Sequence, residues 1–352
     1  MLNLLKPIVI GSIHLKNRII LAPLTRSRAV GEGRIPNDLM VDYYTQRASA
    51  GLILTEATSV DPMGVGYANT PGIWSNQQVE GWSKVTTAVH KKNGKIFMQL
   101  WHVGRISDPI FLNGKTPVAP SSIAPTGRVS LLRPEKDYVV PRSLNIEEIK
   151  DVVEAFRLGA ANAKKAGFDG VEIHSANGYL IDQFLHDGSN KRTDQYGGSI
   201  ENRARLLLEI VDAVISVWGA DRVGVHLAPR GDSHDMHDSN PKKLFISVVT
   251  ELAKKKIAFI FAREYQGPDS IGPELKKVFG GVYIANEKFT KESAEQLLIN
   301  GEADAISFGI PFISNPDLPM RFANNLPLNQ TDFETLFTEG AKGYTDYPFT
   351  TP

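Results

Sequence analysis

The stretch NIEEIKDVVEAFRLGAANAKKAGFDGVEIH, residues 145–174, decides the fold. Ile149, Val152, Val153, Phe156, Ala160 and Ala163 recur at the i, i+3, i+4, i+7 spacing of one helix face. Asn145 with Glu148 three residues on reads as a capping box, and Gly167 as a C-terminal stop. A helix is therefore expected over 148–166, and a short apolar strand, 170–174, follows it at once.

Outward from there the same grammar repeats. Helical 82–93 precedes strand 95–101, helical 244–256 precedes strand 257–262, and helical 291–300 precedes strand 305–308. Eight strands are expected, near 19–24, 52–58, 95–101, 170–174, 222–228, 257–263, 281–285 and 305–309. Strands alternating with helices imply a parallel sheet, and eight units close a (β/α)8 TIM barrel. An open doubly wound sheet would carry a glycine-rich turn after its first strand, where this chain has Pro23, Leu24, Thr25 and Arg26. One domain is expected over 1–352. The connection 103–144 after strand three holds six prolines and no helical period, and reads as a lid-like loop insertion on the catalytic face. Residues 315–352, rich in Pro and Asn, read as a tail packing near the active site.

Composition narrows the function. The 39 Lys and Arg balance the 39 Asp and Glu, so charge gives no argument for nucleic acid or an anionic membrane as partner. The absence of cysteine excludes disulfides, thiolate metal sites and cysteine nucleophiles. No apolar run approaches the roughly 18 residues of a membrane span. Met1–Pro7 carries Lys6 and no long apolar core, so a cytoplasmic protein is expected.

In a barrel the chemistry sits at the C-terminal ends of the strands. Those ends hold mostly neutral donors and acceptors, which suit a polar heteroaromatic ring and a carbonyl better than the activation of water. His174 and Asn177 are spaced to donate two hydrogen bonds to one oxygen and polarise a carbonyl. Tyr179 keeps its proton at neutral pH and is a candidate general acid for a carbanion. Asp232, His234, Asp235, His237 and Asp238 invite a metal-site reading, but they lie in one polar loop without helical spacing, and no metal is expected there.

The segment His174-Ser-Ala-Asn-Gly-Tyr179 resembles the H-x-x-[NH]-x-Y motif of the Old Yellow Enzyme family of FMN-dependent ene-reductases. The resemblance runs along nearly the whole chain, through NRIILAPLT (17–25), QLWHVGR (99–105), RTDQYGGS (192–199), NPDL (315–318) and GYTDYP (343–348). RVGVHLAPR (222–230) is similar to the bacterial xenobiotic reductase and N-ethylmaleimide reductase branch. The resemblance implies bound FMN, with NADPH or NADH as reductant. It implies ping-pong hydride transfer through flavin N5 to enones, maleimides or nitro compounds. Pro23, Leu24 and Thr25 would meet the flavin, and Ala57 and Gln99 its pyrimidine side. His174 and Asn177 would bind the substrate oxygen, Tyr179 would protonate the substrate, and Tyr67, Trp101 and Tyr347 would shape the pocket. A monomer or homodimer without macromolecular partners is expected.

Two positions depart from the family pattern. His226 stands where the family usually places an Arg facing flavin N1 and O2, so either a His226 that is cationic in the reduced enzyme or Arg263 is expected to supply that charge, with Arg230 a weaker candidate. Gly309 is followed by Ile310 rather than the phosphate-gripping Arg, so the phosphate is expected on backbone N–H groups around Ala285, Asn286 and Gly309, with Lys288 beside them. The competing readings are a metal-dependent barrel hydrolase and a flavin-binding protein without turnover.

Overall fold

The computed structural model describes residues 2–350. Eight parallel strands form its centre: β1 (Ile19–Leu21), β2 (Leu52–Leu54), β3 (Ile96–Trp101), β4 (Gly170–Ser175), β5 (Val223–Leu227), β6 (Phe259–Arg263), β7 (Val282–Asn286) and β8 (Ala305–Phe308). Each pairs with the next, β8 pairs with β1, and the ring is a closed (β/α)8 barrel. Strands covered on both faces must be apolar on both, which is why they read as continuous hydrophobic runs rather than alternating ones. The hairpin of Ile8–Ile10 and Ile13–Leu15 packs on Ile20, Leu54, Phe97, Phe259 and Phe261, which puts an apolar plug at one end of the barrel.

Several boundaries differ from the sequence expectation. The first strand stops at Leu21, ahead of Pro23. The expected 52–58 strand splits into β2 and a two-residue piece, Thr58–Ser59, that pairs with Leu100 and Trp101. The expected 82–93 helix begins earlier, at Asn76, because Ser75 and Gln78 form a capping box. The expected 244–256 helix begins at Pro241, with Asn240 as its side-chain cap. The opening stretch holds closely: its helix is Ile146–Lys165, with the Asn145 and Glu148 box in place.

The 103–144 insertion has one short 3-10 turn, Pro109–Phe111, and pairs Val118–Ala119 with Arg142–Ser143. The largely buried Arg105 ties it down, donating to Ile123 O (3.0 Å) and His234 O (2.9 Å). The tail is held by three buried guanidiniums. Arg28 donates to the carbonyls of Thr335 and Leu336, Arg26 to that of Gly343, and Arg47 to that of Tyr344 (3.4 Å) as well as to those of Phe312 and Ile313 just before the tail. Tyr344 stacks on Tyr43 at 4.2 Å, and Arg47 lies 3.7 Å from the Tyr43 ring centre. Replacing Arg47 by Met leaves these carbonyls buried and unpaired. The expected loss is about 3 kcal/mol, read as a lower urea midpoint, with proteolysis starting in the tail beyond Asp332.

Candidate active site

The strand ends on one side of the barrel open into a cavity of about 540 Å³. Pro23, Leu24, His226, Arg263, Asn286 and Gly309 line it, as does Asn177. Phe261, Glu287 and Ser307 also line it, and nothing in their local sequence pattern marked them.

The turn after β4 is built to fixed dimensions. Asn177 and Gly178 both adopt left-handed backbone conformations, φ 59° and 78°. Glycine takes that conformation freely, and asparagine tolerates it better than most residues. The Gly178 N–H donates to Asp182 Oδ2 (2.8 Å), and Gln183 Nε2 donates to the carbonyls of Gly178 (2.7 Å) and Val103 (3.0 Å). Arg263 Nη1 donates to Asn177 Oδ1 (3.0 Å), so the Asn177 amide hydrogens are free to serve another acceptor. Arg263 also pairs with Glu287 at 3.1 Å.

Beside the turn stands an aromatic wall. Tyr67 stacks on Trp101 at 5.5 Å, and Tyr179 meets Trp101 edge-on at 5.0 Å. The Tyr67 and Tyr179 hydroxyls are 2.9 Å apart. Burial pushes the Tyr179 hydroxyl up to about 12, while the bond from Tyr67 and the charge of Arg263 pull the other way. Tyr138, from the insertion, packs against this cluster.

His226 and His174 lie parallel, ring centres 4.9 Å apart. Burial and then the Arg263 charge hold His174 down at about 3. Burial, His174 and Arg263 hold His226 well below its ordinary value. These influences favour a neutral imidazole at His226, and the expected cation belongs to the reduced enzyme, where the ring's negative charge would act against them. Behind it, Gln99 Nε2 donates to Glu172 Oε2 (2.8 Å) and to His226 Nδ1 (3.1 Å). Glu172 is fully buried, and desolvation raises its carboxyl to about 8. The sequence reading passed over Glu172, because a lone acid in an apolar strand carries no motif.

Other expected residues are placed differently. Gln99 and Ala285 are buried in the barrel wall, Ala57 joins the Tyr67 and Trp101 cluster, and Thr25 is half-buried just past Leu24. Tyr347 is half-buried, and its hydroxyl accepts the Asp332 N–H (2.9 Å). The buried tyrosine of that motif is Tyr344. The acidic and His-rich loop is dispersed: His234 donates to Asn177 O, Asp235 accepts from Thr126, and Asp238 pairs with Arg203. Arg230 is taken up by Glu264 and Asp269.

The model of the NADH:flavin oxidoreductase / NADH oxidase family matches residues 3–329. The chain is 45% identical to the flavin oxidoreductase hxnT of Emericella nidulans, over 98% of this chain and 97% of that protein. It is 41% identical to 12-oxophytodienoate reductase 1 of Oryza sativa subsp. japonica, over 98% and 93%. Among solved structures it resembles the old yellow enzyme homologue of Zymomonas mobilis (TM-score 0.95, 45% identity, 98% and 99% covered). It is as similar to morphinone reductase in complex with tetrahydroNAD (TM-score 0.95, 43% identity, 99% and 98% covered).

The buried Glu172 has a consequence for stability. Its folded value, about 8, lies above its ordinary 4.5, so its contribution is complete below pH 4.5 and disappears as pH rises through 8. Glu56, raised to about 7 by burial, acts in the same direction. Comparing wild type with Glu172→Gln isolates the first group. Wild type is expected to lose roughly 4 kcal/mol relative to the variant across that window, measured by urea unfolding.

Proposed function

Since the chain belongs to the NADH:flavin oxidoreductase / NADH oxidase family, as an FMN-dependent oxidoreductase of the Old Yellow Enzyme kind, we propose that this cavity reduces the C=C bond of α,β-unsaturated carbonyls and maleimides. Nitro compounds are a second substrate class. The observation that carries the reading is the convergence of His174, Asn177 and Tyr179 beside one aromatic wall and one cavity.

The residues present fit FMN. His226 Nε2, His174 Nδ1 and Ser307 Oγ are buried without a hydrogen-bond partner among the described residues, and His226 and Ser307 line the cavity. Pro23, Leu24 and Thr25 would meet the ring from β1, with Ala57, Gln99, His226 and Arg263 around its polar edge. Asn286, Lys288 and Gly309 line the same cavity and would hold the phosphate, with Ala285 behind them. FMN, when bound, accepts hydride from NADPH or NADH and passes it to the substrate.

The protein's own share is orientation and a proton. His174 and Asn177 hold the substrate carbonyl and stabilise the charge that develops on its oxygen. Arg263 is a positioning residue, because its bond to Asn177 Oδ1 fixes which end of that amide faces the substrate. Trp101 and Tyr67 exclude water and favour flat, electron-poor substrates. Tyr179, protonated throughout the neutral range, delivers the proton to the α-carbon. The Tyr67 hydroxyl, 2.9 Å away, then donates to the oxygen that has lost it. No helix among the described residues is long and apolar enough to cross a membrane, and the lack of cysteine favours work in the cytoplasm.

Anaerobic turnover of cyclohexenone with NADPH tests the reading. Tyr179→Phe should slow alkene reduction about 100-fold or more while nicotinamide oxidation by the flavin continues. Equal alkene reduction by both proteins removes Tyr179 from the mechanism, and a folded protein that shows no flavin bands with excess FMN removes the function. Arg263→Met should lower kcat/KM for the enone about tenfold, mainly through KM, and loss of its charge at the ring's polar edge should also slow flavin reduction by the nicotinamide.

A further inference from the structure

Behind the cavity wall at His226 lies a carboxyl with no cation of its own. Glu172 on β4 is wholly buried, and its Oε1 has no hydrogen-bond partner among the described residues. Its Oε2 accepts from Gln99 and lies 4.0 Å from His226 Nδ1. Gln99 offers both neighbours only hydrogens, so His226 Nδ1 accepts and the ring proton sits on Nε2. A neutral imidazole therefore stands between Glu172 and the cavity.

The charged groups nearby do not reach the carboxyl. On β4, His174 stacks on His226 and is held neutral. On β6, Arg263 is engaged by Asn177 and Glu287. Lys288 lines the cavity beside Glu287 and lies over the Tyr265 ring at 4.8 Å. Gln99 on β3 does not titrate. An ionised carboxyl here has one amide hydrogen bond, from Gln99, and no cation to offset its desolvation, so it keeps its proton unless the pH is high.

Resting on the functional reading above, we propose that Glu172 is a redox-linked proton acceptor: two-electron reduction of the flavin in this cavity draws a solvent proton onto the Glu172 carboxylate. The balance is simple. Above neutral pH the ring takes two electrons and one proton at N5, and keeps a negative charge. That charge raises the proton affinity of a carboxylate behind His226. Where Glu172 is ionised in the oxidised protein, the site takes up two protons per electron pair. Where Glu172 is already protonated, it takes up one. The role assigned to Glu172 is positional in the electrostatic sense: it acts through the field at the ring and touches no reacting atom.

The experiment is redox titration of the FMN-loaded full chain between about pH 7.5 and 9.5, following the flavin spectrum. Wild type should approach two protons per electron pair in the upper part of this range, and Glu172→Gln should stay at one. The variant should also lose less of its flavin reduction rate with NADPH as pH rises. A second measurement needs no substitution: redox-difference infrared spectra of wild type near pH 8.5 should show a protonated-carboxyl C=O band that grows on reduction. Equal proton counts in the two proteins, or no such band, overturn the proposal. A protein that takes up no FMN refutes the functional reading and this inference together. One that binds FMN and reduces enones, yet takes one proton per pair throughout, refutes this inference alone.

Discussion

The left-handed turn at Asn177 and Gly178 is the constraint on which the site depends. It ends β4 abruptly and sends the chain into the short helix Leu180–Leu185 with Tyr179 at its first position. Asp182 and Gln183 of that helix reach back to hold the turn, and Gln183 also reaches the insertion through Val103. One local knot therefore sets the distance between Asn177 and Tyr179, and joins both to the loop above them. Packing does the rest, since Trp101 and Tyr67 leave Tyr179 one place to stand.

Electrostatically the cavity has two zones. Its rim carries fixed charge, with Arg263, Glu287 and Lys288 together. Its floor is His226, and there and behind it, at His174 and Glu172, burial favours the neutral form of each group. A guanidinium in place of His226 would fix a positive charge on the floor. With an imidazole there, the floor answers to protons instead, and Gln99 sets which ring nitrogen carries one.

Much of this was legible in the residues. The barrel followed from helix and strand periods, because a parallel sheet buried on both faces leaves a plain hydrophobic signal. His174, Asn177 and Tyr179 were legible because they sit close together on one strand end. Boundaries were less so: Ser75 and Gln78 start a helix six residues ahead of Trp82, where the sequence pattern placed its beginning. Glu172 and Ser307 were not legible, since their meaning comes from neighbours on other strands. The two tyrosines of the tail motif look alike in sequence, and only the fold separates the fully buried Tyr344 from the half-buried Tyr347.

The clamp on the tail bears on how the chain matures. Arg26 and Arg28 lie shortly after β1, yet the carbonyls that receive them, on Thr335, Leu336 and Gly343, are 307 to 317 residues further along the chain. Through nearly all of synthesis these guanidiniums stay hydrated, and the segment from Pro23 to Arg28 lacks its final support. The shape of that segment, which borders the cavity, is thus set by contacts that close only once the chain has been made through Gly343.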